Sequence, residues 1–460
     1  MLKNFDIEEN VYHVVADLQE AGYETYIVGG AIRDLLLDRT PKDYDISTAA
    51  TPEQVREVFG RRRARIIGRR FQLVHVRCGK DLFEVSTFRR APSENSHEPQ
   101  TPGARKIAAL EEAENMIFND NDFGTSEQDA WRRDFTVNAL FYDPVAEELI
   151  DYTGSGIADI KSGLVRAIGD AKLRFEEDPV RMLRALKLVG QYGFKLERKT
   201  ESALLTTLPL LELASISRLS LELEKILNSN YTGSIMQTFA DYGLLKHFLP
   251  YLAKDWEKDH LQQALHMLKI RDKRVAAGYY RNSASVAMAT LALPFIDAML
   301  DGNYRRDFIA DRNKNERILP EIWDEEILRQ TLLTIYAPLS IIKRLSCSAC
   351  RMLAIQPMLN GRSNMQRLVK SKGFAHAMEL FKIQCDSEYL QCDSELISQY
   401  RDLIKSIGGV NRLSEKGTAE PENAGRKRRR RGNRSRRRKD RQMLSDIPGT
   451  MPLSDAPISE

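Results

Sequence analysis

The residues from Ile27 to Thr48, IVGGAIRDLLLDRTPKDYDIST, leave a fold little choice. Tyr26, Ile27 and Val28 form an apolar run that predicts a strand, and Gly29 and Gly30 interrupt it. Ala31 to Leu37 then reads as a helix, and Asp43-Tyr44-Asp45-Ile46 alternates as a second strand does. A strand, glycine turn, helix and strand so close together require a sheet with a helix laid on it. The segment also carries chemistry. Glycine lets backbone N–H groups approach a phosphate closely, and the helix N-terminus behind it adds partial positive charge. Arg33, one turn in, could reach the same anion with a planar, always-charged fork. In an extended strand Asp43 and Asp45 point to one face, and two such carboxylates suit Mg²⁺, which completes its shell with water and substrate phosphates. Either motif alone is an ordinary turn or a solvated strand end. Together with Arg33 they describe a metal-assisted triphosphate site.

Two later blocks add to it. Glu127 to Asp143, EQDAWRRDFTVNALFYD, sets Arg132 and Arg133 before Asp134 on a predicted helix, with Phe135, Val137, Ala139 and Leu140 apolar. Glu176 to Phe194, EEDPVRMLRALKLVGQYGF, begins with Asp178 and Pro179 as a helix cap and first turn. Arg181, Arg184 and Lys187 follow three apart as a polar stripe, while Met182, Leu183, Leu186 and Val189 face a core. Around these blocks, Val11, Val14, Val15 and Leu18 mark an N-terminal helix, and Thr51-Pro52-Glu53 starts another. A basic group follows (Arg61, Arg62, Arg63, Arg65, Arg69, Arg70). Leu73–Val76 and Leu82–Val85 then read as a strand pair. Glu84 puts a third acid near the sheet, either assisting metals or facing Arg89. Residues 91 to 122 lack periodicity and are expected to be a long mobile loop. Beyond Ser217 the pattern is helix after helix. Basic residues around Lys343 and Arg344, and from Arg362 to Lys372, are candidates to grip RNA or simple surface.

The N-terminus MLKNFDIEEN has no apolar core of a secretory signal, and the run Val286–Leu300 is interrupted by Pro294 and Asp297. The expectation is a cytoplasmic protein without integral membrane association. Five cysteines in 460 residues argue against a disulfide framework. Cys385 and Cys392, seven apart in a repeated QCDSE, read as buried thiols on one helical face, with zinc at these and Cys347-x-x-Cys350 the less favoured alternative. The histidines form no metal-binding cluster.

The net charge of +4 hides an asymmetry. Twelve of the 69 basic residues and one of the 65 acidic residues lie between Arg426 and Arg441, which leaves 57 against 64 elsewhere, a net −7. Such a tail cannot build a core and is expected to be disordered. Its Arg428, Arg429, Arg430, Arg431, Arg436, Arg437 and Arg438 suit a polyanion, bound by counterion release, and RNA is the expected one.

The three blocks together resemble the nucleotidyltransferase superfamily, in the branch that holds the bacterial poly(A) polymerases and the class II CCA-adding enzymes. The family pattern of Gly-Gly, Arg-Asp on a helix and a metal-binding Asp-x-Asp is matched at Gly29, Gly30, Arg33, Asp34, Asp43 and Asp45. The resemblance implies Asp43, Asp45 and Asp134 as catalytic acids, with Arg132 and Arg133 on phosphates. It implies two Mg²⁺ ions (Mn²⁺ as an alternative) on Asp43 and Asp45, and ATP as substrate. It also implies base recognition by Glu177, Asp178 and Arg181, with Arg184 beside them; the family usually has arginine where this chain has Lys187. Ile66–Val76, IIGRRFQLVHV, and the arginine-rich tail resemble the poly(A) enzymes rather than the CCA-adding ones. The implied reaction is template-independent transfer of AMP from ATP to RNA 3′-hydroxyls, promoting RNA turnover; the alternative is a CCA-adding tRNA nucleotidyltransferase. RNA-degradation proteins are further candidate partners that no residue specifies. A non-catalytic RNA-binding protein would have lost the acids, and a small-molecule nucleotidyltransferase would not need the tail. The expected class is α+β. A nucleotidyltransferase domain with a small mixed sheet (1–150) is followed by a helical neck (151–230), a helical body (231–412) and a disordered basic tail (413–460).

Overall fold

The computed structural model describes residues 5–68, 72–90, 122–254, 258–299, 325–359 and 365–406. The chain opens with α1 (Glu9–Glu20), which buries Val11, Val14, Val15 and Leu18 as their spacing predicts. It continues through β1 (Thr25–Val28), α2 (Gly30–Leu36), β2 (Asp45–Thr48), α3 (Pro52–Arg63), β3 (Ala64–Ile67), β4 (Leu73–Cys78) and β5 (Asp81–Thr87). After residue 121 come α4 (Ser126–Arg132), a 3-10 turn (Thr136–Asn138), β6 (Phe141–Asp143) and β7 (Glu148–Ile150). The seven strands form one mixed sheet in the order β3-β4-β5-β2-β1-β6-β7, with β2 parallel to β5 and the other neighbours antiparallel.

β1 is covered on both faces, which is why TYIV does not alternate cleanly. Ile27 belongs to the main core with α1, while Val28 packs on the opposite face with Phe88, Ala130 and Phe141. The register pairs Val28 with Asp45, so the Asp45 side chain emerges on the face that α4 covers. α3 begins at a capping box between Thr51 and Gln54 with Pro52 in its first turn, and is bent at Gly60, whose φ is +73°. Arg69, Arg70, the 91–121 segment and the tail from 407 onward lie outside the described residues.

The helical part begins with α5 (Gly156–Ser162), β8 (Leu164–Val165), α6 (Ala171–Glu177), α7 (Val180–Tyr192), β9 (Lys195–Leu196), α8 (Arg198–Thr207), α9 (Ile216–Leu227), α10 (Thr232–Asp241) and α11 (Leu245–Phe248). β8 and β9 form a parallel pair of their own, an addition to the expected helical neck. α7 lies directly on α10, where a Cβ on Gly190 would stand 2.6 Å from the Ile235 Cα. The body contains α12 (Lys258–Ala276), α13 (Ala284–Met299), α14 (Glu325–Ile335), α15 (Lys343–Leu359), α16 (Met365–Val369), α17 (Phe374–Asp386) and α18 (Ser394–Ser406). The apolar run noted near Val286 is α13, buried on all sides from Ser285 to Ile296 and packed on α12, α14, α15 and α17. Among the described residues no single helix is long and apolar enough to cross a membrane.

Two local expectations are corrected. The QCDSE repeat is not one helical face: α17 ends at Asp386, Glu388 takes a φ of +58°, and α18 starts at Ser394. That break brings the Cα atoms of Cys385 and Cys392 to 5.5 Å, and the two form a disulfide instead of remaining buried thiols. Cys347 and Cys350 are free on α15, and burial pushes the Cys350 thiol up to about 12. Likewise, Asp134 is not helical. α4 ends at Arg132, Arg133 turns extended (φ −63°, ψ 169°), and Asp134 Oδ1 accepts the Phe135 N–H at 2.8 Å.

Candidate active site

The Gly29–Gly30 turn is built as the sequence suggests. Gly29 adopts φ +73°, ψ −128°, a conformation essentially restricted to glycine, and its N–H donates to the Leu140 carbonyl at 3.1 Å. A Cβ there would meet Arg133 Nη1 at 3.2 Å. Arg133, from a segment a hundred residues later, therefore packs on this glycine. Its guanidinium donates to Asp129 Oδ2 (2.8 and 3.1 Å), to the Asn138 carbonyl (3.4 Å) and to Ser47 Oγ (3.4 Å), and lies 5.1 Å from the Phe141 ring. Arg132 Nε donates to the other oxygen of Asp129 at 3.0 Å. Asp129, buried and also bonded by the Arg89 N–H (3.1 Å), orients both arginines. Burial alone would push its carboxyl up; Arg133 and Arg132 reverse that and hold it below the usual range. The acid that serves Arg132 and Arg133 is thus Asp129. Its three- and four-residue spacing to them on a helix was a legible signal.

Asp43 and Asp45 are both exposed on either side of buried Tyr44, so the alternation that predicts a common face is present. β2 itself starts at Asp45, leaving Asp43 just before the strand. Asp45 is open to solvent at its tip but flanked by protein. Burial and then Asp43 push its carboxyl up, Arg133 opposes them, and Glu84 adds a smaller push. Glu84 is its register partner on parallel β5 and lies 3.5 Å from His75, so it stands beside Asp45 rather than on Arg89. Asp134 lies on the helical side. Its Oδ1 accepts from Asn138 Nδ2 (3.1 Å) and its Oδ2 is 3.6 Å from Arg184 Nη1. Among the described residues no group of three or more His, Cys, Asp or Glu side chains closes around a metal-sized point.

Arg33 lies against the other glycine, where a Cβ on Gly30 would meet its Nη2 at 3.4 Å. Its fork donates to Asn138 Oδ1 (2.6 Å), to Asp34 Oδ1 (2.9 and 3.1 Å) and to the Tyr192 hydroxyl (2.6 Å), with Tyr192's ring 4.4 Å away. The Tyr192 hydroxyl donates to the same Asp34 oxygen at 2.7 Å. Arg33 and Asp34 therefore tie α2 to the end of α7.

The third block surrounds a charge network. Glu176 and Glu177 close α6, and Asp178 Oδ1 accepts the Val180 N–H (3.2 Å) at the start of α7. Glu177 Oε2 accepts from Arg174 (3.0 Å) and Arg181 (2.9 Å), and Asp178 Oδ2 from Arg218 of α9 (2.7 Å). Burial pushes the Asp178 carboxyl up, and Arg218 and Arg184 more than reverse it. Arg184 links Asp134 to Glu222, 3.9 Å away on α9. The polar stripe faces inward: Arg181 is buried and Lys187 half-buried. Burial pushes the Lys187 ammonium down, Glu222 opposes, and Lys225, Arg184 and Arg33 reinforce the push. Arg174, Arg218, Glu222 and Tyr192 escape sequence reading because only the packing of α7 on α9 and α2 gives them partners.

A mixed sheet thus presents two carboxylates beside a positive-φ glycine turn, backed by a cationic helical wall. Residues 25–166 match the model of the Poly A polymerase head domain, and residues 193–255 that of the probable RNA and SrmB-binding site of polymerase A. Over these two segments the chain is similar to the nucleotidyltransferase family that contains the bacterial poly(A) polymerases. It is similar to poly(A) polymerase I of Haemophilus influenzae (43% identical over 54% of this chain and 53% of that one). It is also similar to poly(A) polymerase I of Escherichia coli O6:H1 (36%, over 64% and 62%) and to the CCA-adding enzyme of Lactobacillus helveticus (36%, over 50% and 52%). The chain thus spans between half and two thirds of the curated relatives it matches. In fold it resembles the Bacillus stearothermophilus CCA-adding enzyme in complex with CTP, at a TM-score of 0.58 and 22% identity over 86% of this chain and 82% of that one.

Proposed function

We propose that this protein adds AMP from ATP to RNA 3′ ends without a template, releasing pyrophosphate, and so promotes RNA turnover in the cytoplasm. The observation that carries the reading is the placement of Asp43 and Asp45 on one open face, beside a glycine turn against which Asp129 fixes Arg133. The greater identity to a poly(A) polymerase I than to a CCA-adding enzyme supports ATP-only extension.

Two adjacent, exposed carboxylates, of which Asp45 is pushed up by burial and by Asp43, fit a hard divalent cation, Mg²⁺ or Mn²⁺, and Asp43 and Asp45 would hold it. Two such ions, when bound, activate the attacking hydroxyl and neutralise the leaving pyrophosphate. In the reaction the RNA 3′-hydroxyl oxygen bonds to the α-phosphorus, the α–β bridging P–O bond breaks, and the hydroxyl proton passes to solvent. The Gly29–Gly30 backbone and Arg133 hold the triphosphate, with Arg132 at the same edge. Glu84 stands with Asp45 as the third acid of the sheet. Asp134 is a positioning group that orients Arg184. Glu177, Asp178 and Arg181 form the wall for the base, where Arg181 is set by Glu177 and the Arg174 carbonyl (2.8 Å). Arg33 and Asp34 act through the head–neck tie. The arginines of the tail, Arg428 to Arg438, hold the body of the RNA.

The deciding experiment incubates the protein and Mg²⁺ with a labelled RNA oligonucleotide and with tRNA lacking its 3′ end, supplying each NTP alone and all together. A long ladder with ATP only is the expected outcome. Addition that stops after two C and one A on tRNA would establish the CCA-adding alternative, which the match to the Lactobacillus helveticus enzyme favours.

A further inference from the structure

A cleft of about 920 Å³ opens beside the end of α4, lined by none of the residues assigned above to the reaction. Trp131 forms one rim with almost half its surface (48%) open to solvent, and its indole has no hydrogen-bond partner among the described residues. Lys172 of α6 and Arg198 and Lys199 at the start of α8 supply the charge. The acids in the wall are already engaged. Asp170 Oδ1 accepts the Leu173 N–H (2.9 Å), and Glu197 Oε2 accepts the N–H (2.9 Å) and hydroxyl (3.1 Å) of Thr200. Arg166 is held by Asp159 at 3.0 Å. By contrast, Arg198 and Lys199 have no ion-pair partner among the described residues, and Lys172 has only a 3.8 Å contact with Glu176. Across the lining, Arg166, Lys172, Arg198 and Lys199 outnumber Asp170 and Glu197, the latter 3.8 Å from Arg166, so the cleft is net positive beside an exposed aromatic face.

Those two features together select single-stranded nucleic acid: a base stacks on an indole whatever its sequence, and cations follow the phosphates. An acidic peptide would use the cations but has no need of the indole. We propose that this cleft holds the single-stranded stretch of RNA upstream of the 3′ end, with a base stacked on Trp131 and its phosphates along Lys172, Arg198 and Lys199. The path to the chemistry is short. The Trp131 carbonyl accepts from Arg174 Nη2 (2.7 Å), and Arg174 Nη1 holds Glu177 of the base-reading wall (3.0 Å). The inference rests on the RNA-extending reading and names where the distal part of that substrate lies.

The test compares wild type with Trp131→Ala, Trp131→Phe and the double change Arg198→Ala/Lys199→Ala, after melting curves confirm folding. Affinity for a labelled oligo(A) of about twenty nucleotides is measured against salt, and extension of an oligo(A) trimer is followed separately. Trp131→Ala should weaken the long RNA about ten-fold and Trp131→Phe much less. The double change should lower the salt slope by roughly 1.4, as expected for two phosphate contacts to a single strand. Trimer extension should be unchanged throughout. Wild-type affinity for the long RNA in both Ala variants would overturn the proposal, as would an equal loss on trimer and long RNA. So would normal RNA binding with loss of a poly-glutamate probe, which would assign the cleft to an acidic protein segment. A wild-type protein that neither binds nor extends RNA would end the functional reading and the cleft assignment together. Extension by wild type with silent variants would end the cleft assignment alone.

Discussion

Asp45 and Asp129 are two carboxylates on neighbouring elements with opposite electrostatics, and each yields a prediction. Asp45's carboxyl is raised, so its ionised form is disfavoured in the fold, and stability falls as pH rises from its unfolded value through the raised folded value. Asp45→Asn should therefore keep or raise Tm in metal-free buffer while reducing adenylation by about 10³-fold or more, as loss of a metal-ligating acid does. A lower Tm with activity retained would remove Asp45 from the site. Asp129 is the reverse. Its folded value is depressed, so its contribution is present above the unfolded value near 3.8 and is lost as pH falls through the folded one. Asp129→Ala removes the acceptor shared by Arg132, Arg133 and the Arg89 N–H, and should cost about 3 kcal/mol by chemical denaturation at neutral pH. The difference from wild type should shrink as pH falls below the unfolded value of 3.8.

At the scale of elements, the glycine turn and the α2–α7 tie do different work. Gly29 is held at φ +73°, ψ −128° with Arg133 Nη1 where a Cβ would intrude. Gly29→Ala should cost about 1–3 kcal/mol from backbone strain. Because it also displaces Arg133, kcat/KM for ATP should fall by more than the stability loss explains; an active variant with normal ATP kinetics would argue that the turn does not hold phosphate. Tyr192→Phe removes the hydroxyl shared by Arg33 and Asp34. Its expected cost is about 1 kcal/mol, read as a lower denaturation midpoint, with a smaller effect on ATP binding than Gly29→Ala. The elements also show what was legible. β1, α2 and the β4–β5 hairpin follow directly from apolar spacing and glycine punctuation. The helix expected to run through Asp134 stops at Arg132, because the extended Arg133 satisfies more partners in three dimensions than another helical turn would.

On the whole molecule, charge is segregated: about −7 over the residues outside Arg426–Arg441, against twelve cations within that segment. Removing residues 424–460 should weaken RNA binding at low salt and flatten the dependence of log K on log salt, with addition to a short primer largely retained. An unchanged slope would mean that the tail binds something other than RNA. The cationic neck wall of Arg184, Lys187 and Lys225 faces the acidic sheet within this mildly acidic remainder.

The amino-acid sequence by itself determined the sheet-and-helix class, the positions of the phosphate turn and of the Asp43–Asp45 pair, and the charge of the tail. These depend on periodicity, backbone freedom and charge count, which are local properties. Tertiary structure alone decided which acid serves which arginine. Arg133 joined Arg33 at the glycine turn, Asp129 became the acid that holds Arg132 and Arg133, and Glu84 came beside Asp45 through a parallel strand pairing. The physical reason is that a guanidinium or carboxylate removed from water takes whichever partner the packing brings within about 3 Å, and sequence spacing does not encode that distance. The opening segment therefore predicts a site, and the fold assigns its residues their work.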